Sequence, residues 1–231
     1  MRKSQRRVNQ WPAFFVIMNI AIIIPSRGIL LSKMKESIDK EILTVGCNAS
    51  FYYSHGLPIP ECFNIPTEKA LSNNLDYIPD YIWYVEEDVI VPRGGLHAML
   101  ELSKGPDNGM VAINYPLRHY GGLSEGWYRE GSRPKIRTWV GLGCTLVRRD
   151  VFSKIREMTD EPFFKTAKLV TKHGGSATKR KILTAIECNR KYGGQDIYFC
   201  HLVRTAGFNI CACDDFLADH LNIPMVATDV L

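Results

Sequence analysis

The segment Tyr81-Ile-Trp-Tyr-Val-Glu-Glu-Asp-Val-Ile-Val-Pro92 joins an unbroken apolar run to three consecutive acids. Apolar or aromatic residues at every position of 81–85 predict a strand that is covered on both faces, as in a parallel sheet. In open α/β sheets ligands bind beyond the carboxyl ends of the strands, where Glu86, Glu87 and Asp88 would lie. Neighbouring carboxylates repel one another when partly buried, and a bound cation removes that cost. Their oxygen atoms favour Mg²⁺ or Mn²⁺. The segment therefore predicts an α/β sheet, and the acids form either a cation site or an exposed acidic turn of the kind that commonly follows a strand.

Short apolar runs alternate with helical patterns over the rest of the chain. The runs predict strands at 20–24, 42–45, 81–85, 110–113 and 208–212, and a glycine-interrupted apolar run covers 137–147. Helical patterns cover 29–40 and 67–75, follow Pro92, begin at an expected N-cap Asp150, and cover 197–206. This alternation predicts an α/β fold with a mostly parallel central sheet flanked by helices.

The basic charge is concentrated at the start of the chain. The 231 residues carry a net charge of +5, and residues 1–17 hold four basic residues and no acid. Residues 18–231 are left with 25 basic and 24 acidic residues, so the body of the chain has no large basic excess. A nucleic-acid-binding fold usually carries a basic stripe, which this balance argues against. We expect a basic N-terminal extension over 1–17 and a single domain over 18–231.

The apolar run at 13–24 follows this basic extension and resembles a targeting segment. Twelve residues are too few to span a bilayer, which takes roughly 20, and the second half is better interpreted as a strand. The seven cysteines are odd in number and include no CxxC pair, which argues against a zinc ribbon and favours a reducing compartment. We therefore expect a cytoplasmic protein and leave open a peripheral contact of residues 1–17 with a membrane.

The stretch at 165–181 differs in charge from its surroundings. No acid occurs between Glu161 and Glu187, whereas 165–181 holds six basic residues around Gly174 and Gly175. We expect a mobile basic loop, which is either a solvated connection or a lid over a ligand.

Three further motifs follow the acidic segment. Gly141 and Gly143 interrupt an apolar run, and glycines allow the backbone to approach a ligand closely. The Gln195-Asp196 pair follows two glycines and places a carboxylate at a helix start, where an N-cap is the simpler role. His220 follows the last predicted strand. Each motif alone is weak evidence for a site.

In this order and spacing the motifs resemble the GT-A fold glycosyltransferases, in particular the family 2-like group, from about Asn19 to Leu221. Members begin with an apolar strand that ends in proline, as at Pro25-Ser26-Arg27. They carry a metal-binding DxD motif after a hydrophobic strand, where Glu86-Glu87-Asp88 stands. Members also carry a glycine-rich acceptor strand, to which 141–149 corresponds. An acidic pair opens a later helix, where Gln195-Asp196 stands, and a histidine near the C-terminus corresponds to His220.

The resemblance implies a metal-dependent enzyme that moves a sugar from a nucleoside-diphosphate sugar to an acceptor hydroxyl, with Mn²⁺ or Mg²⁺ as cofactor. Asp196 would be the general base of an inverting reaction, and Asp88 and His220 would hold the metal. The implied donor contacts are Pro25, Ser26, Arg27, Glu86, Glu87, Asp88, Gly141 and Gly143. Gln195 and Trp139 would face the acceptor, although a buried core position suits Trp139 as well. The acceptor itself stays open among a glycan, a lipid-linked sugar, a protein and a modified nucleic acid.

Three departures from the family pattern keep alternatives open. Glu86 replaces the first acid of the DxD motif, and Gln195 replaces the first acid of the helix-opening pair. No acid stands at 46–50 after the predicted second strand, which leaves the nucleobase undetermined. A retaining enzyme on the same fold and a non-catalytic nucleotide-sugar-binding protein remain possible. A nucleotidyltransferase fits less well, because Pro25–Gly28 is shorter than its glycine-rich loop.

Overall fold

A computed structural model describes residues 18–26, 28, 31–72, 77–116, 136–170, 185–188 and 194–221. The strands are β1 (Asn19–Ser26), β2 (Asn48–His55), β3 (Tyr81–Val85), β4 (Val89–Ile90), β5 (Asn108–Asn114), β6 (Ile136–Arg137), β7 (Cys144–Arg148), β8 (Ala167–Val170), β9 (Ala185–Cys188), β10 (Asn209–Leu217) and β11 (Asp219–His220). The helices are α1 (Ser32–Val45), α2 (Glu61–Ser72), α3 (Gly95–Ser103), α4 (Arg149–Met158) and α5 (Gln195–Thr205).

Seven strands form the central sheet in the order β2-β1-β3-β7-β5-β10-β6. Strands β2, β1 and β3 are parallel, and β5 is parallel to β10. Strand β7 runs antiparallel to both β3 and β5, and β6 runs antiparallel to β10. Five of the seven strands therefore point the same way, and the predicted α/β fold with a mostly parallel sheet flanked by helices is confirmed.

The core lies on both faces of this sheet, which explains why its strands are apolar at nearly every position. On β1, Ala21 and Ile23 face the cluster that includes Phe63 of α2 and Phe199 of α5. The alternate residues Ile20, Ile22 and Ile24 face the cluster that includes α1 and α3. Alternation of side chains across the pleat divides one apolar run between two cores. Within the described part of the chain, we find no helix that combines the length and apolar character needed to cross a membrane.

The predicted second strand at 42–45 is wrong, because these residues form the last turns of α1. Ile38, Ile42 and Val45 recur at helical spacing and pack on the core, and Gly46 ends the helix in the left-handed region at φ 70°. The second strand is β2, whose last residue His55 pairs with Ser26 of β1. In the glycosyltransferases that the sequence resembles, the acid that binds the nucleobase follows the second strand. The corresponding position in this chain is therefore the end of β2 and not 46–50.

Helix boundaries differ from the sequence pattern by several residues. Helix α2 begins six residues earlier than expected, and α3 begins after its N-cap Gly94 rather than at Pro92. Arg148, not Asp150, is the N-cap of α4, since Asp150 lies in the first turn and its carboxylate pairs with the Arg148 guanidinium. The helix predicted at 197–206 is present as α5, which begins two residues earlier and ends one residue earlier, and Gly207 follows its C-cap Ala206 at φ 92°.

The basic stretch at 165–181 is described only in its first part. Strand β8 (Ala167–Val170) lies within this stretch and pairs antiparallel with β9. Residues 171–181, the extension 1–17 and Arg27 lie outside the described residues.

Candidate active site

A cleft of about 300 Å³ opens where the carboxyl ends of β1 and β3 meet the start of α5. Because β1, β2 and β3 are parallel, the residues that follow them reach the same edge of the sheet. The residues that line the cleft are Pro25, Ser26, Leu57, Ile59, Cys62, Phe63, Glu86, Glu87, Asp88, Gln195 and His220.

The acids Glu86, Glu87 and Asp88 form a tight turn directly after β3. The Val89 N–H donates to the Glu86 carbonyl at 3.1 Å, which closes the turn. The buried Glu87 carboxylate accepts a hydrogen bond of 2.7 Å from the Ser26 hydroxyl and is thereby tied to β1. Asp88 is also buried, so this turn concentrates negative charge away from bulk water.

His220 reaches the same turn through a short antiparallel ladder between β11 and β4. In this ladder His220 pairs with Val89, and the Leu221 N–H donates to the Asp88 carbonyl at 2.7 Å. The His220 Nε2 atom lies 3.5 Å from Oδ1 of Asp88. Its Nδ1 atom lies 2.8 Å from the Pro116 carbonyl, which can only accept, so Nδ1 carries the proton. In the neutral ring, Nε2 therefore presents a lone pair toward the acids.

Glu86, Asp88 and His220, here called the cation triad, fit a divalent metal ion. Their ligand atoms all lie within 4.8 Å of one another. Each ligand atom of Mg²⁺ lies about 2.1 Å from the ion, so ligand atoms on opposite sides of it are about 4.2 Å apart. The three side chains would therefore need to move only slightly closer together to bind the ion. Carboxylates suit Mg²⁺ and Mn²⁺, and imidazole suits several divalent metals. The carbonyl that fixes the second nitrogen of His220 is the kind of support that metal-binding histidines have.

Tyr115, which follows β5, lies beside the cation triad. Its ring meets the His220 ring edge-to-face with centroids 5.2 Å apart, and its hydroxyl accepts the Gly143 N–H at 3.2 Å. Burial raises the pKa of the Tyr115 hydroxyl well above its usual range, and the charges of Glu86 and Asp196 raise it further. The carboxylates of the triad and of α5 therefore lie close enough to act on one hydroxyl.

The first turn of α5 contributes two different side chains. Gln195 lines the cleft, and its buried Oε1 atom has no hydrogen-bond partner among the described residues. Asp196 is not the N-cap, which is Gly194, and its carboxylate accepts the Ile197 N–H at 2.8 Å. Burial raises the pKa of Asp196 from 3.8 to about 6, although two backbone hydrogen bonds act in the opposite direction. A carboxylate with such a pKa is suited to accept a proton near neutral pH.

The opposite side of the cleft is apolar, and the sequence did not reveal it. Leu57, Ile59, Cys62 and Phe63 come from the β2–α2 connection and the start of α2. Burial, followed by the charge of Glu86, raises the pKa of the Cys62 thiol to about 12, so this thiol stays neutral. These residues follow the carboxyl end of β2, so a correct prediction of β2 from the sequence would have placed them at the site.

The structure brings together most, but not all, of the residues expected at the site. Among the described residues, Asp196, Gly141, Gly143 and Trp139 are not part of the cleft lining. A Cβ atom on Gly143 would lie only 2.6 Å from the nearest atom of the Tyr115 ring, so this glycine makes room for Tyr115. Trp139 is partly buried and packs against the core cluster that contains α4 and α5. Arg27 lies outside the described residues.

Comparison with known proteins gives likeness at the level of structure only. No protein-family model and no curated protein matches the sequence. Among solved structures, A197 from STIV has 18% identity and a TM-score of 0.51, and the match covers 89% of this chain and 86% of that chain. The catalytic domain of Drosophila beta1,4-galactosyltransferase 7, in complex with xylobiose, has 15% identity and a TM-score of 0.48 over 90% of this chain and 67% of that chain. A glycosyltransferase involved in glycosylation of the major capsid of PBCV-1 has 18% identity and a TM-score of 0.38 over 60% and 64%.

The likeness to A197 shows a shared fold, since it extends over most of both chains.

Proposed function

We propose that this protein is a metal-dependent glycosyltransferase that moves a sugar from a nucleoside-diphosphate sugar to an acceptor hydroxyl. The observation that carries the proposal is the cation triad, in which two carboxylates and an imidazole meet in a cleft at the carboxyl ends of the strands. The motifs that resemble GT-A glycosyltransferases supply these same residues.

The two sides of the cleft suit the two parts of such a donor. A divalent cation, when bound, would neutralise charge that develops on the departing diphosphate. The cation triad would hold this cation. Glu87 and Ser26, which are hydrogen-bonded to each other, would line the cleft beside it. The apolar side chains of Leu57, Ile59 and Phe63 offer contact area to an apolar ring face of the donor.

In this proposal Asp196 is the base of an inverting displacement. Its carboxylate takes the proton of the acceptor hydroxyl while the acceptor oxygen forms a bond to the anomeric carbon. The bond from that carbon to the diphosphate oxygen breaks, and the nucleoside diphosphate leaves with the electron pair. General base catalysis of this kind contributes roughly 10²–10⁴ in rate. The buried Gln195 Oε1 atom, which needs a donor, is suited to a sugar hydroxyl.

A non-catalytic nucleotide-sugar-binding protein is the second candidate, and one observation favours it. Gln195, a neutral side chain, lines the cleft, whereas the Asp196 carboxylate accepts a hydrogen bond from its own helix. Such a protein would bind the donor with metal but would not release nucleoside diphosphate from it. Release of nucleoside diphosphate in the presence of Mn²⁺ therefore separates the two candidates.

A thermal-shift screen of uridine, guanosine, cytidine and thymidine diphosphate sugars, with and without Mn²⁺, tests the proposal. A ligand at 100 times its dissociation constant stabilises the folded state by about 2.7 kcal/mol, or roughly 5–10 °C for a domain of this size. We expect one donor class to give such a shift only with Mn²⁺, and Asp88→Asn to abolish it. The matched control is Asp219→Asn, which removes the same charge from an exposed neighbour of His220 that lies outside the triad. No shift with any donor plus Mn²⁺ would refute the proposal.

A further inference from the structure

The dipeptide Tyr115-Pro116 contacts one member of the cation triad, His220, directly and is connected to a second, Glu86, through Gly143. On one side, the Pro116 carbonyl accepts from Nδ1 of His220 at 2.8 Å, and the Tyr115 ring lies edge-to-face against the imidazole. These two contacts fix both the tautomer and the plane of the ring that presents Nε2 to Asp88.

On the other side, Tyr115 is connected to Glu86 through a single residue, Gly143. The Gly143 N–H donates to the Tyr115 hydroxyl at 3.2 Å, and the Gly143 carbonyl accepts the Glu86 N–H at 3.0 Å. The hydroxyl, the Gly143 residue and the Glu86 backbone thus form a chain of hydrogen bonds that ends at the first acid of the triad. The absence of a side chain on Gly143 allows the tyrosine ring to lie this close.

We infer that Tyr115 is a positioning residue for divalent-cation binding, which holds Glu86 and His220 in mutual register before the ion arrives. The inference rests on the proposed function of the cleft as a metal-dependent donor site. Tyr115 does not itself supply a ligand atom in this arrangement, and it acts through Gly143 and His220. Partners that orient metal ligands typically change metal affinity by 10–100-fold when they are removed.

The test compares Mn²⁺ binding by wild type, Tyr115→Phe and Tyr84→Phe, measured by electron paramagnetic resonance titration without any substrate. Tyr115→Phe keeps the ring but removes the acceptor for the Gly143 N–H. Tyr84→Phe is the matched control, because it also removes a buried tyrosine hydroxyl. That hydroxyl is hydrogen-bonded to Thr67 and not to Gly143. We expect Tyr115→Phe to weaken Mn²⁺ binding about 10-fold or more, while Tyr84→Phe changes it less than about twofold.

The melting temperatures of the metal-free variants separate positioning from general stability. We expect both substitutions to lower the melting temperature, because each removes a buried tyrosine hydroxyl that takes part in a hydrogen bond. Unchanged Mn²⁺ affinity in Tyr115→Phe, or an equal loss in Tyr84→Phe, would overturn the inference alone. Absence of Mn²⁺ binding by the wild type would overturn it together with the metal-dependent function.

A second measurement does not depend on any variant. The ¹⁵N chemical shifts of the His220 ring in the metal-free wild type report which nitrogen carries the proton. We expect the Nδ1–H tautomer, since Nδ1 faces the Pro116 carbonyl. The Nε2–H tautomer would show that the Tyr115-Pro116 dipeptide does not orient the imidazole, and it would overturn the inference.

Discussion

Asp196 has both a hydrogen bond to its own helix and a raised pKa. It accepts a hydrogen bond from Ile197 in the first turn of α5, and burial still raises its pKa to about 6. In Asp196→Asn the amide oxygen can keep the hydrogen bond, but the side chain can no longer accept a proton. We therefore expect the variant to bind donor with Mn²⁺ as the wild type does, while the transfer rate falls by about 10² or more.

The assay for this prediction is single-turnover release of nucleoside diphosphate, with donor affinity measured separately by calorimetry. Gln195→Glu is an informative companion, because it restores the acid that the family pattern has at this position without altering Asp196. A transfer rate within a few-fold of wild type in Asp196→Asn would mean that Asp196 only stabilises the helix.

The raised pKa of Asp196 also predicts how stability depends on pH. The folded state binds this proton more tightly than the unfolded state, so the associated stability is present below pH 4 and is lost as the pH rises through 6. Asp196→Asn removes this dependence. We expect its free energy of unfolding, relative to wild type, to rise by on the order of 1–3 kcal/mol between pH 4 and pH 8. Urea unfolding at several pH values measures it, and a constant difference would contradict the assignment.

At the residue level, the sequence indicated which side chains come close together in the cases where those side chains follow strand ends. Glu86 and Asp88 directly follow the apolar run of β3, and His220 follows the strand predicted at 208–212, so their positions could be inferred from chain order. Tyr115 could not, because nothing in its local pattern shows that its hydroxyl meets Gly143, 28 residues away. That contact depends on β5 and β7 being neighbours, which is a property of the sheet.

Among the secondary-structure elements, α1 holds the segment that follows the acids. The buried Glu41 carboxylate accepts the N–H groups of Gly94 and Leu96 at 2.7 and 2.9 Å, and so caps the N-terminus of α3 from outside. Glu41→Ala leaves both donors without this acceptor. We expect a loss of about 2–4 kcal/mol in the free energy of unfolding by urea, since a buried unsatisfied polar group costs about 1–3 kcal/mol.

The control for this prediction is Glu36→Ala on the exposed face of the same helix, where Glu36 lies 4.0 Å from Lys40. Exposed ion pairs contribute little, so we expect a change below about 1 kcal/mol. Equal effects of the two substitutions would show that the contacts of Glu41 with α3 contribute nothing specific.

Gly143, which directly precedes strand β7, provides a second prediction at this scale. Gly143→Ala would push the Tyr115 ring away, because the added Cβ would lie 2.6 Å from its nearest carbon. Gly109→Ala is equally crowded, with Val151 at 2.6 Å, but lies away from the cleft. Overpacking typically costs 1–3 kcal/mol, and we expect that loss in both variants in thermal unfolding. Only Gly143→Ala should also weaken Mn²⁺ binding, and an equal effect of Gly109→Ala on the metal would contradict the link to Tyr115.

The boundary between α1 and β2 shows why some elements could not be placed from sequence. The residues at 42–45 suit a short strand by composition, but they also continue the helical spacing set by Met34 and Ile38. These residues form a helix and not a strand because the helical face is buried against the sheet. A short apolar run in the sequence does not reveal such tertiary contacts. Because the second strand was predicted at 42–45, the prediction missed β2 and the apolar residues of the cleft that follow it.

For the molecule as a whole, the site depends on strands that are distant in sequence. The parallel arrangement of β1 and β3 could be expected from their apolar runs, whereas the position of β2 and the insertion of antiparallel β7 between β3 and β5 could not. The register of β10 against β5 shifts between Ala212 and Leu217, and the chain then continues into β11 beside β4. This path delivers His220 to Asp88, so the cation triad can form only once the sheet is assembled.

The most direct test of a metal-dependent nucleotide-sugar site is anomalous diffraction from crystals soaked with Mn²⁺ and a nucleoside diphosphate. We predict one Mn²⁺ peak about 2.1 Å from ligand atoms of Glu86, Asp88 and His220, with diphosphate oxygens bound to the same ion. Under the same conditions Asp88→Asn should lose both the peak and the ordered diphosphate. Mn²⁺ bound elsewhere, or a nucleotide that occupies the cleft without metal at these three residues, would contradict the proposed function.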